Sequence, residues 1–85
     1  MSETISAQVS LYPLRVSDLG PAIAAFADEL RTYELQVQTG AMSTLVIGER
    51  DELFEALRTA FAAASARYQV VLAVTISNAC PRPDA

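Results

Sequence analysis

Eight neutral side chains carry the chemistry legible in this chain: Gln8, Ser10 and Tyr12, then Met42, Ser43 and Thr44, then Ser77 and Asn78. They fall in three short stretches, 5–14, 40–46 and 74–81, where small polar residues alternate with apolar ones and no charge intervenes. Hydroxyls and carboxamides donate and accept hydrogen bonds alike. Such a set suits the edge of a neutral heteroaromatic ring. It is poorly suited to moving protons, because acid–base and nucleophilic catalysis draw on His, Lys or paired acids, and the chain has no His and no Lys. Cys80 therefore has no His to act as its base and reads as a small packing residue. Asp51, Glu52 and Glu55 read as the solvated first turns of a helix rather than as a metal set. The expectation is binding without catalysis.

These groups need elements to hold them. Residues 5–12 alternate, with Ile5, Ala7, Val9 and Leu11 on one side and Ser6, Gln8, Ser10 and Tyr12 on the other. This is the period of a half-buried strand, and Pro13 is expected to end its ladder. A helix start follows at Ser17, Asp18 and Pro21. Leu19, Ile23, Phe26, Leu30 and Tyr33 give that helix its apolar stripe. Residues 35–48 read as a hairpin turned at Gly40. Glu49, Asp51 and Glu52 open a second helix, with Leu53, Leu57, Phe61 and Ala64 as its buried stripe and Phe54 alongside. Residues 69–78 form the last strand, and Pro81 and Pro83 mark the end of regular structure.

The order β-α-β-β-α-β, with two right-handed crossovers around a central hairpin, predicts an α+β fold of the ferredoxin-like type. Its four-stranded antiparallel sheet has strand order 4-1-3-2 and both helices on one face. Residues 1–85 form a single domain, with a core at about residues 5–79.

Placing the apolar strand positions against the helices leaves the other face to Ser6, Gln8, Ser10, Tyr12, Gln36, Gln38, Met42, Thr44, Val46, Val71, Ala73, Thr75 and Ser77. A sheet face in water would carry Lys and Glu. This one is neutral, so it is covered by another subunit, by a ligand, or by both. Ser10 and Thr44 are expected to neighbour each other across strands 1 and 3, and Ser43 to point toward the helices at the strand entrance.

Bulk properties narrow the classes further. Apolar residues make up 52% of the chain and charged ones 19%. So small a body buries only about 60–65% of its unfolded surface, which favours oligomers. The net charge is −4 and the Arg residues are scattered, so nucleic acid is not an expected partner. One cysteine excludes an intrachain disulfide framework. No segment reads as a signal peptide or a membrane span, and the expected location is the cytoplasm.

The stretch Ser6-Ala7-Gln8-Val9-Ser10-Leu11-Tyr12-Pro13-Leu14, the strand Met42-Ser43-Thr44-Leu45-Val46 and the terminus Ser77-Asn78-Ala79-Cys80-Pro81 together resemble the YkoF-like thiamine-binding protein family, in its single-domain form. The resemblance runs from about residue 5 to residue 81. It implies a ferredoxin-like chain that assembles into dimers or homotetramers through its sheet face and edge strands. It also implies binding of thiamine (vitamin B1), or of its hydroxymethylpyrimidine half, for uptake, delivery or salvage, with no other cofactor. Gln8, Ser10, Tyr12, Met42, Ser43, Thr44, Ser77 and Asn78 are the ligand-binding residues it implies, with Tyr12 or Met42 packing on the ring. Two other functions share the topology: a regulatory small-molecule module resembling an ACT domain, and a purely structural homo-oligomer.

One difficulty is geometric. Strand 4 runs antiparallel to strand 1, so Ser77 and Asn78 fall near Ser6, at the opposite end of the sheet from Tyr12 and Met42. Either one cluster is structural or the site is completed across subunits, and the second account is preferred.

Overall fold

The structure is a computed structural model that describes residues 3–40 and 43–79. Met42 and the 80–85 end, with Cys80, Pro81 and Pro83, lie outside the described residues. The elements follow in the expected order: β1 (Thr4–Leu14), α1 (Gly20–Leu30), β2 (Gln36–Thr39), β3 (Thr44–Glu49), α2 (Arg50–Ser65) and β4 (Gln69–Ser77). The strands form one antiparallel sheet in the order β2-β3-β1-β4, which is the expected order read from the other edge. Both helices pack on one face, where Ile5, Ala7, Val9 and Leu11 of β1 share a core with Phe26, Leu30, Leu53, Leu57 and Val46.

Pro13 does not end β1. The strand runs on to Leu14, paired with β4 as far as Leu14–Gln69, while its pairing with β3 stops at Val9–Thr44. Past Val9, β1 is an edge on its β3 side, and edge backbone tolerates a residue without an N–H. Arg15 then turns the chain at φ 59°, and its guanidinium donates to the Gln69 side chain.

The helix stripes hold at Phe26, Leu30, Leu53, Leu57 and Ala64 and differ elsewhere. In α1 the buried residues are Ala22, Phe26, Ala27 and Leu30, while Leu19 and Ile23 are exposed. In α2 they are Leu53, Ala56, Leu57, Ala60 and Ala64, while Phe54 and Phe61 are exposed. Alanines at the α1–α2 contact let the backbones approach closely, which pushes the larger side chains to the rim. Neither Ser17 nor Asp18 is the N-cap of α1. That place belongs to Leu19, and the Asp18 carboxylate instead accepts from Gly20 N at 3.1 Å. Glu49 caps α2 by accepting from Glu52 N at 2.9 Å.

β3 presents the opposite face from the one expected. In an antiparallel pair, directly opposed residues share a side of the sheet. Thr44 opposes core-facing Val9, Val46 opposes Ala7, and Gly48 opposes Ile5. Thr44 and Val46 therefore face the helices, and Thr44 is only 7% exposed. Leu45 and Ile47, opposed to Gln8 and Ser6, belong to the open face. At Gly48, on the helix side with Thr44 and Val46, a Cβ would meet Leu35 Cδ2.

Candidate functional site

The corrected register assembles a constellation on the open face. Gln8 of β1, Leu45 of β3 and Gln38 of β2 lie in one row across three strands. Neighbouring strands are about 4.8 Å apart, so the two glutamine Cα atoms are about 10 Å apart with Leu45 between them. The next row repeats the pattern with Ser6, Ile47 and Gln36. Ile47 is only 6% exposed, so the accessible apolar group between the amides is Leu45.

The hairpin closes one end of these rows. Gly40 N donates to Ser43 O at 2.8 Å, which holds the two arms together just before the turn. One step beyond the Val9–Thr44 pair, the register places Ser43 opposite Ser10 and on the open face. The Gln8 side-chain amide confirms that placement by donating from Nε2 to Ser43 Oγ at 3.2 Å. Ser43 therefore does not point toward the helices as expected; the parity of β3 is set by its pairing with β1. Gln8, Gln38, Thr39, Gly40, Ser43 and Leu45 line a shallow bay of about 420 Å³. Among the described residues, no ionisable side chain lines it. The bay offers an apolar floor for a flat ring and amide and hydroxyl groups for its edge.

The remaining expected residues divide into three places. Thr44 lies behind the bay, in a small cleft of about 60 Å³ with Val9, Ser10, Ser43, Ile23 and Phe26. Its hydroxyl does not share a surface with Gln8, because adjacent strand residues point to opposite sides. Ser10 sits between the two and contributes to the cleft. Tyr12 is on the open face but four residues from Gln8, about 13 Å along the strand. It is 50% exposed and directly opposes Val71, which is 51% exposed.

Ser77 and Asn78 are at the far end of the sheet, as the register Ser6–Ser77 requires. Ser6 and Tyr12 are six positions apart along β1, about 20 Å. The Ser77 hydroxyl accepts from Ala79 N at 3.0 Å, and Asn78 Nδ2 donates to Glu3 Oε2 at 2.8 Å. Glu3 also pairs with Arg50 at 3.5 Å. These contacts tie the end of β4 to the start of β1 and the start of α2. Ser77 and Asn78 line a separate hollow with Glu3, Ile5, Arg50 and Phe54, which shares no residue with the bay.

The acidic stretch of α2 is engaged locally. Asp51 pairs with Arg50 at 3.0 Å, Glu55 pairs with Arg58, and Glu52 Oε2 accepts from Glu34 N at 3.3 Å. The hydrogen bond from Arg50 to Asp51, aided by that carboxylate's charge, raises the Arg50 pKa above its ordinary value; Glu55 does the same for Arg58. Among the described residues no three of His, Cys, Asp and Glu come together as a metal-binding group, and no helix is long and apolar enough to cross a membrane.

Gln38, Thr39 and Leu45 are bay residues that the sequence analysis does not name as site residues. Gln38 was visible as a polar position in an alternating strand. Leu45 was hidden in the run Leu45-Val46-Ile47, where apolar neighbours on both faces erase the alternation.

The same architecture occurs in solved structures. A hypothetical protein of Methanocaldococcus jannascii superposes with a TM-score of 0.84 at 26% identity, over 98% of this chain and 84% of that one. A protein of Streptococcus pneumoniae does so with a TM-score of 0.80 at 26% identity, over 91% and 86%. A Thermotoga maritima protein named as a "putative thiamine biosynthesis/salvage protein" shares the fold, with a TM-score of 0.78 at 18% identity over 87% and 82%. No curated protein sequence matches the chain. The model of the YkoF-related family matches residues 4–83, which takes in all six elements of the fold and the whole of the bay, and the chain belongs to that family.

Proposed function

We propose that this protein binds thiamine, or its hydroxymethylpyrimidine half, without turning it over, and serves uptake, delivery or salvage of the vitamin. The observation that carries this reading is the row Gln8–Leu45–Gln38 closed by Ser43. An aminopyrimidine has two acceptor ring nitrogens and an exocyclic amine donor. Carboxamides and hydroxyls match both kinds of group, and Leu45 supplies an apolar seat for the ring face. Membership of the YkoF-related family supports the same reading. So does the fold shared with the Thermotoga protein named for thiamine biosynthesis/salvage. A thiazolium cation extending from the bay meets a chain of net charge −4. Catalysis is not part of this reading: the described bay residues include no His, Lys or carboxylate to activate a hydroxyl.

The neutral face extends past the bay to Tyr12, Val71, Ala73 and Thr75. In this reading two copies meet there, as a dimer or tetramer, and the partner's sheet covers the bound ring. Thermal shift tests the ligand class, since a ligand that binds only the native state stabilises it. Hydroxymethylpyrimidine and thiamine raise the Tm in a concentration-dependent way, and free amino acids do not. A shift with amino acids alone assigns the fold to a regulatory module of the ACT kind instead.

A further inference from the structure

The Ser43 hydroxyl accepts a hydrogen bond before any ligand arrives. The Ser43 backbone is held by the hairpin, where its carbonyl accepts from Gly40 N at 2.8 Å. Its hydroxyl oxygen accepts from Gln8 Nε2 at 3.2 Å. A serine hydroxyl has one proton and two lone pairs. With one lone pair engaged by Gln8, the O–H bond is directed away from that amide. Among the described residues no other hydrogen bond engages this hydroxyl. Gln8 thus presets Ser43 as a donor, and Gln8 and Gln38 keep their own carbonyl oxygens as acceptors.

We infer that Gln8 is a specificity-determining positioning residue: by donating to Ser43 it makes the bay select rings that present an acceptor nitrogen to Ser43 and an amine donor to the glutamine amides. This rests on the ligand-binding reading above and extends it to a polarity. The ligand class is an aromatic N-heterocycle with an amidine edge, N=C–NH2. A ring with C–H or a protonated nitrogen at that point leaves the Ser43 proton unpaired. The same logic makes Gln8→Glu a polarity switch. A carboxylate only accepts, so it draws the Ser43 proton to itself and leaves the ligand facing a lone pair.

The test is titration calorimetry with neutral hydroxymethylpyrimidine and its two aminopyridine analogues, each with one ring nitrogen replaced by C–H. The wild-type protein binds one analogue about tenfold more weakly than the parent, the scale of one well-made hydrogen bond. Ser43→Ala reduces that ratio to about one, Gln8→Glu reduces it to about one or below, and Ser43→Thr, which keeps a hydroxyl, preserves it. Gln8 is exposed, so the variants keep the wild-type melting profile. Binding of the parent with a ratio unchanged in Ser43→Ala and Gln8→Glu overturns the relay and leaves the binding reading standing. Equal loss of parent and analogues in Gln8→Glu also overturns it, because that is the mark of a merely structural glutamine. No binding of any of the three by wild-type protein overturns the binding reading itself, and the relay with it.

Discussion

Thr44 and Leu45 are consecutive in β3 and face opposite worlds: Thr44 opposes Val9 against the helices, and Leu45 opposes Gln8 on the open sheet. That one-residue parity decides which side chains form the bay. It also gives the account its first prediction. Thr44→Asp buries an unpaired carboxylate at a site only 7% exposed and destabilises the fold by about 3 kcal/mol or more. Leu45→Asp costs about 1 kcal/mol or less in stability and abolishes pyrimidine binding. Urea unfolding and calorimetry on the two variants check the pair. The reverse order of stabilities would put Leu45, not Thr44, in the core.

Gly48 lies on the helix side at the other end of β3, opposite Ile5. A methyl group added there meets the far end of the half-buried Leu35 side chain, which can shift, so Gly48→Ala changes stability by about 1 kcal/mol or less. Leu35→Ala removes that contact, so the effect of Gly48→Ala on urea midpoints differs between the wild type and a Leu35→Ala background.

Tyr33 and Thr59 tie the loop after α1 to the middle of α2 through a part-buried hydrogen bond of 2.9 Å. Tyr33→Phe removes the phenol oxygen and keeps the ring. It lowers stability by about 1 kcal/mol, and ligand affinity stays unchanged, since neither residue lines the bay.

Tyr12 and Val71 oppose each other on the open face, each about half exposed in the protomer. In an assembly through this face they become buried. Val71→Glu places a charge in that contact and yields monomers in light scattering, with helix content retained. An unchanged oligomer mass would move the interface elsewhere.

How much of this was legible in the sequence follows from particular residues. β1 was readable because Ser6, Gln8 and Ser10 alternate cleanly with Ile5, Ala7 and Val9. The sheet order followed from element order and crossover handedness. β3 was not readable to one residue, because Leu45, Val46 and Ile47 are apolar on both faces and pairing alone selects the face. In the helices Leu19, Ile23 and Phe61 were misplaced because side-chain size was taken as the mark of burial. Ala22, Ala56 and Ala60 fill the helix contact, and Ile23 and Phe61 do not. The separation of Ser77 from Tyr12 was legible from antiparallel topology. The Gln8–Ser43 bond was not, since it joins diagonal neighbours across two strands.

The account stands or falls on the bay taking an aminopyrimidine. Isothermal titration of the folded, assembled protein with hydroxymethylpyrimidine, and then with thiamine, measures that directly. The account predicts saturable binding of both, with Gln38→Ala weakening each by about three- to tenfold, the worth of one hydrogen bond. No heat and no thermal shift with either compound would contradict it and leave the neutral sheet face as a subunit interface alone.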